Sequence, residues 1–104
     1  MQTQPIETAW MKCNVQKGMF STEYLVVVDN IDGSPYGEMF VDKRLVKLDR
    51  EKDPGMDDSV SGQLRVHTTW QKHKADDLIS VMLPAATMQN GRFLRVPENW
   101  LTSG

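Results

Sequence analysis

The run YLVVV, Tyr24 to Val28, decides the fold: five consecutive large apolar residues, three of them valine. Five residues are too few for a buried helix, and β-branched side chains pack better on a pleated surface than on a helical one. A strand apolar on both faces needs cover on both. That places it centrally in a curled sheet or barrel.

Working outward, Thr8 to Gln16 alternates with period two. Met11, Cys13 and Val15 share one face; Trp10, Lys12 and Asn14 share the other, which predicts a half-buried strand. Lys17-Gly18 supplies a tight turn, and residues 1–7, polar with Pro5, form a flexible N-terminus. After YLVVV the segment DNIDGSPYG, Asp29 to Gly37, concentrates turn formers. Asp29 and Asp32 invite a calcium-loop reading, but Ile31 and Gly33 stand where oxygen ligands would be needed, so the segment reads as a turn with no metal.

Glu38 to Leu48 changes phase near Lys43, because Phe40, Val46 and Leu48 share one parity while Met39, Val41 and Leu45 share the other. A bulge or sharp bend is expected there. Residues 49–61 (DREKDPGMDDSVS) read as a mobile charged loop. Alternation resumes over Gly62 to Trp70, and again over Leu78 to Leu83 until Pro84. Asn90-Gly91 predicts a two-residue type I′ hairpin, setting Met88 opposite Phe93 and Ala86 opposite Arg95. The expected fold is mostly β: a single small domain over residues 8–104. About six antiparallel strands should form a bent sheet closing into a small SH3-like barrel or a two-layer sandwich.

Composition narrows the function classes. Twelve basic against fourteen acidic residues leave a formal charge of −2, which argues against a nucleic-acid binder. Cys13, the single cysteine, has no partner for an internal disulfide. The opening MQTQPIETAW lacks a signal-peptide pattern, so a cytoplasmic location is expected. No apolar run approaches the roughly 20 residues of a membrane helix, and no membrane association is expected.

Chemistry-bearing patterns are sparse. His67 and His73 are the only histidines and sit in no nucleophile signature, and the carboxylate pairs Asp57-Asp58 and Asp76-Asp77 lie in polar loops. No enzyme activity, cofactor or metal is expected. Seven methionines serve as core filler or as an adaptable binding face, with Met82 and Met88 the candidates for the latter. Trp10, Trp70 and Trp100 each fall near a strand end, where they either cap the core or meet in a concave apolar site.

The tail VPENWL, Val96 to Leu101, resembles the end of SH3 domains, where a proline, an asparagine and an aromatic occupy a short turn before the last strand. The resemblance implies that Pro97 and Trp100 line a peptide groove. The acidic-aromatic opening motif and adjacent tryptophan pair of that family are missing. The expectation is a non-catalytic binding domain for a protein partner, with self-association. A small-molecule pocket or a weak single-stranded nucleic-acid surface, built from basic residues such as Lys47 and Arg65 among the tryptophans, are the alternatives. The candidate binding residues are Trp10, Trp70, Trp100, Pro97, Met82 and Met88.

Overall fold

The computed structural model describes residues 5–104. They form one strongly curled antiparallel sheet of eight strands. These are β1 (Glu7–Lys17), β2 (Glu23–Asp29), β3 (Pro35–Asp42), β4 (Val46–Leu48), β5 (Ser59–Lys72), β6 (Ile79–Thr87), β7 (Gly91–Val96) and β8 (Leu101–Ser103). The main order is β3-β2-β1-β5-β6-β7, with β4 added to β5 and β8 added to β1. Expectations about residues 1–4 lie outside the described residues, and Glu7 is already in β1, paired with Thr68.

The mostly β, single-domain fold expected from the sequence is the one observed, but its centre is elsewhere. YLVVV forms β2, one strand in from the β3 edge. Tyr24, Val26 and Val28 are buried while Leu25 and Val27 are only half-buried. The middle belongs to β1 and β5, which pair along their whole shared length from Glu7–Thr68 to Gln16–Ser59. Each is long enough to serve two sub-sheets. The free edge of β1 takes β8 at Ala9–Met11 and β2 at Asn14–Lys17. The free edge of β5 takes β4 at Gly62–Leu64 and β6 from His67 onward. Met11, Cys13, Val15, Val60, Leu64 and Val66 meet inside this pair and anchor one continuous core.

Local chemistry explains where the chain bends. The phase change near Lys43 is a 3-10 turn over Lys43–Leu45, started by Asp42, whose carboxylate accepts from the Arg44 backbone N–H at 2.8 Å. Parity flips across the turn, so Met39 and Val41 face inward before it and Val46 and Leu48 pack on the core after it. In β5, Trp70 adopts φ +64° and the register shifts between Thr68 and Lys72. The Thr68 hydroxyl holds this bulge, accepting from the Trp70 N–H at 3.1 Å and donating to the Ser80 carbonyl at 2.9 Å.

The hairpin of β6 and β7 departs from its expected register. Only Gly91 has positive φ there, Thr87 faces Gly91, and Met82 rather than Met88 lies opposite Phe93. Arg95 pairs with Ser80, not Ala86. Two causes are visible. Pro84 has no N–H to donate, so the ladder breaks around it and the Arg92 guanidinium donates to the Leu83 and Pro84 carbonyls instead. At the tip, the Thr87 hydroxyl donates to the Gly91 carbonyl and accepts from the Asn90 N–H, fixing a wider turn.

That tip closes the curl. Met88 N–H donates to the Glu38 carbonyl at 2.9 Å, and the Gln89 side chain accepts from the Glu38 N–H at 2.9 Å. The Tyr36 hydroxyl lies 2.8 Å from the Asn90 carbonyl and 2.7 Å from the Phe93 carbonyl, with its one proton shared between them. Gly37 permits the approach, since a Cβ there would lie 2.7 Å from Thr87 Cβ. No helix among the described residues is long and apolar enough to cross a membrane.

Candidate functional site: a groove where β1 changes partner

Between Met11 and Asn14, the edge of β1 passes from β8 to β2. A groove of about 420 Å³ opens at this exchange. Trp100 forms one wall, in the 3-10 turn Glu98–Trp100 that follows Pro97 and leads into β8. Val27 and Ile31 supply apolar surface on the β2 side. Lys12, Asn14, Asp29, Asn30, Asp49 and Ser61 supply polar groups. Asn14 Nδ2 lies 3.5 Å from Asp29 Oδ2, so a polar pair lines the groove.

The β2–β3 loop that overhangs the groove is shaped by its own side chains. Asp32 accepts from the Ser34 N–H at 2.9 Å and the Ser34 hydroxyl at 2.6 Å, which uses the carboxylate for turn chemistry. Those bonds hold the Asp32 carboxyl below its usual pKa. Asn30 N–H donates to the Ser34 carbonyl at 2.7 Å, and Gly33 takes φ +89°. The loop therefore presents Ile31 outward on a hydrogen-bonded frame.

The other sequence candidates scatter. Trp10 projects on the outward face of β1, yet is only 7% exposed. Lys47 Nζ lies 4.2 Å from its ring centroid, the Arg65 guanidinium carbon 5.5 Å, and Gly104 lies against the indole. Lys12 Nζ similarly lies 4.5 Å from the Trp100 centroid. Basic residues and tryptophans do cluster, but the cations cover the rings. A base-stacking surface needs open aromatic faces. Trp70 packs on the core at the β5 bulge and does not line the groove. Pro97 is half-buried at the start of the 3-10 turn, where its carbonyl accepts from the Trp100 N–H at 3.0 Å. Met82 is half-buried beside Phe93, and Met88 sits exposed at the hairpin tip.

Of the residues 49–61 expected as a charged loop, 59–61 belong to β5, and a further cluster ties the remaining segment to the end of the sheet. Tyr24 donates to Asp53 at 2.5 Å, Lys43 reaches the same carboxylate at 2.6 Å, and Arg50 pairs with Asp58. Pro54 is buried beneath this contact. Burial, then the Asp53 hydrogen bond and charge, pushes the Tyr24 phenol up to about 12. Burial, with Asp49 second, pushes the Cys13 thiol up to about 12 as well, which makes it inert at neutral pH. Their ordinary values are 10.0 and 9.0, so the unfolded chain loses these protons first. Their contribution is intact below about pH 9 and is lost as pH rises towards 12. Urea midpoints should accordingly fall between about pH 9 and 11, and the slope should flatten in Tyr24→Phe. An unchanged slope would mean that Tyr24 titrates as in the unfolded chain.

Sequence reading picked out Trp100 but missed its neighbours in the groove. Asn14, Asp29 and Ile31 carry no motif, and only the change of strand partner at Lys12 brings them together. Searches against known protein families, curated proteins and solved structures find no match for this chain.

Proposed function

We propose that this is a non-catalytic protein-binding domain that receives an extended segment of a partner in the groove beside Trp100. The observation that carries the reading is the exchange of strand partners on β1, where a groove crosses an interrupted sheet edge. Extended peptides bind sheets through main-chain hydrogen bonds and alternate side-chain pockets, and a groove at such an interruption can offer both. Val27 and Ile31 give apolar contact beside the Trp100 ring, which carries Lys12 over one face; Asn14, Asn30 and Ser61 give adaptable hydrogen bonding. The open, mixed lining suits a chain segment better than an enclosed small molecule. The unpaired Cys13 thiol fits a reducing compartment, and we place the domain in the cytoplasm.

A displayed library of random decapeptides panned on the full chain tests this reading. Selected peptides should bind Ile31→Ser at least about tenfold more weakly, because Ile31 is an exposed groove wall whose loss spares the core. Phe93→Ser should bind them unchanged. Equal binding to wild type and Ile31→Ser would end the groove reading.

Self-association is a second reading, favoured by the outer face of β6 and β7. Met82 and Phe93 are direct cross-strand partners there, with Phe93 68% exposed and Met88 58% exposed near the tip. Light scattering across a tenfold concentration range should then report a dimer that Phe93→Ser dissociates. A monomer at every concentration would remove this second reading.

A further inference from the structure

The hairpin joining β5 to β6 carries a separate groove of about 500 Å³, lined by Thr69, Gln71, Lys72, His73, Lys74 and Ser80. Every lining side chain can donate a hydrogen bond and none is a carboxylate. The bulge at Trp70 and the following turn bring these groups together. His73 N–H donates to the Leu78 carbonyl and Asp77 N–H to the His73 carbonyl, each at 2.8 Å, with Asp77 at φ +62°. His73 Nε2 and Ser80 Oγ stand 2.5 Å apart. Arg95 is the cross-strand partner of Ser80, so its side chain rises on the same face. At rest its guanidinium lies 3.0 Å from Asp76 Oδ2. Lys72 makes a longer contact, 3.5 Å, to Glu98, and Lys74 pairs with no carboxylate among the described residues.

We propose that this groove binds a phosphate dianion, either inorganic phosphate or a small phosphate monoester. A tetrahedral dianion has several acceptor oxygens and is met best by hydroxyl, imidazole, ammonium and guanidinium donors together. Ser80, His73 and Lys74 supply the first three. Arg95 supplies the fourth by exchanging Asp76 for the ligand. Asp76 is therefore a built-in competitor that keeps Arg95 placed beside the groove. Asp76 bonds to the Leu78 N–H and to Arg95 and, although it lies close enough to His73 for their charges to interact, makes no hydrogen bond to the His73 ring. That favours anion binding over nucleophilic use of Ser80.

The test is a titration of the full chain with inorganic phosphate at constant pH and ionic strength, followed by backbone amide NMR. Glycerol phosphate is run in parallel. Saturable shifts confined to Thr69–Ser80 and Arg95 are expected, with Lys74→Gln and Ser80→Ala each weakening binding about three- to tenfold. Asp76→Asn keeps the turn's acceptor oxygen but releases Arg95, and should tighten binding about threefold or more. Asp77→Asn removes the same charge one residue away and should change affinity less than about twofold. Tighter binding of glycerol phosphate assigns a monoester, and tighter binding of phosphate assigns the free ion. Non-saturating shifts spread over many lysines, or equal effects of the two Asp variants, would overturn the proposal. Amide shifts outside the hairpin report that each variant stays folded.

Discussion

Gly62→Ala should lower the free energy of unfolding by about 2–3 kcal/mol. Gly62 lies on β5 where that strand is flanked on both sides, by Cys13 of β1 and Leu48 of β4. An added Cβ would stand 2.7 Å from the Lys47 carbonyl oxygen and 3.1 Å from Val15 Cγ2. A side chain could rotate aside, but a backbone oxygen in a paired strand cannot. β4 is three residues long and is fixed at one end by the Lys43–Leu45 turn, so relief requires moving the whole strand. Val46 and Leu48 would then lose their seat on the core. Urea unfolding at neutral pH checks this through the midpoint, with the slope unchanged. A loss under about 0.5 kcal/mol would mean that β4 gives way freely.

Leu64→Ala should cost more, about 3–4 kcal/mol, a large share of the roughly 5–15 kcal/mol that stabilises a domain. Leu64 is 0% exposed and stands between Met11 on β1 and Val46 on β4. Both neighbours are held by ladders, which limits collapse into the space vacated, and uncollapsed space raises the cost of truncation. Thermal unfolding should move down by more than about 10 °C. Combined with Gly62→Ala the effects should fall short of their sum, since one change lifts β4 away from the space that the other empties. A loss near 1 kcal/mol would indicate that Met11, with its flexible side chain, refills the site.

The parts of the fold legible in the sequence are those governed by strand periodicity. Met11, Cys13 and Val15 lie inside as their alternation requires, and the parity change near Lys43 marks a real reversal of face. Periodicity says which face a residue takes, but not how deep in the sheet its strand lies. YLVVV therefore reads as central, whereas β1 and β5 hold the middle. Asn90-Gly91 misled for a different reason. Its local preference is for a two-residue turn, but the Thr87 hydroxyl, the proline at 84 and the contact with Tyr36 together select a wider one. Tertiary hydrogen bonds outweighed a local preference.

The grooves were less legible because neither follows from one strand. Trp100 could be singled out by its tail, but Ile31 and Asn14 reach it only through the junction of β2, β1 and β8. His73 and Ser80 are seven residues apart and face each other across a hairpin whose register depends on the Trp70 bulge. A positive φ at tryptophan breaks the usual preference for glycine or asparagine, so sequence offers no warning of it.

The long pairing of β1 with β5 also sets when the chain can fold. Glu7 has no partner on that edge until Thr68 has been made, and Gln16 waits for Ser59. The β1–β2–β3 meander closes early, through short turns, but two or three strands without a covered face are marginal in water. Closing the long loop must precede the contacts that reward it, so folding should be slow for a domain of this size, in the millisecond-to-second range. During synthesis the first half of the chain leaves the ribosome as an unsupported meander exposing valine-rich β2. It acquires a stable structure only after β5 emerges, which makes this interval the period of greatest exposure to proteases and aggregation.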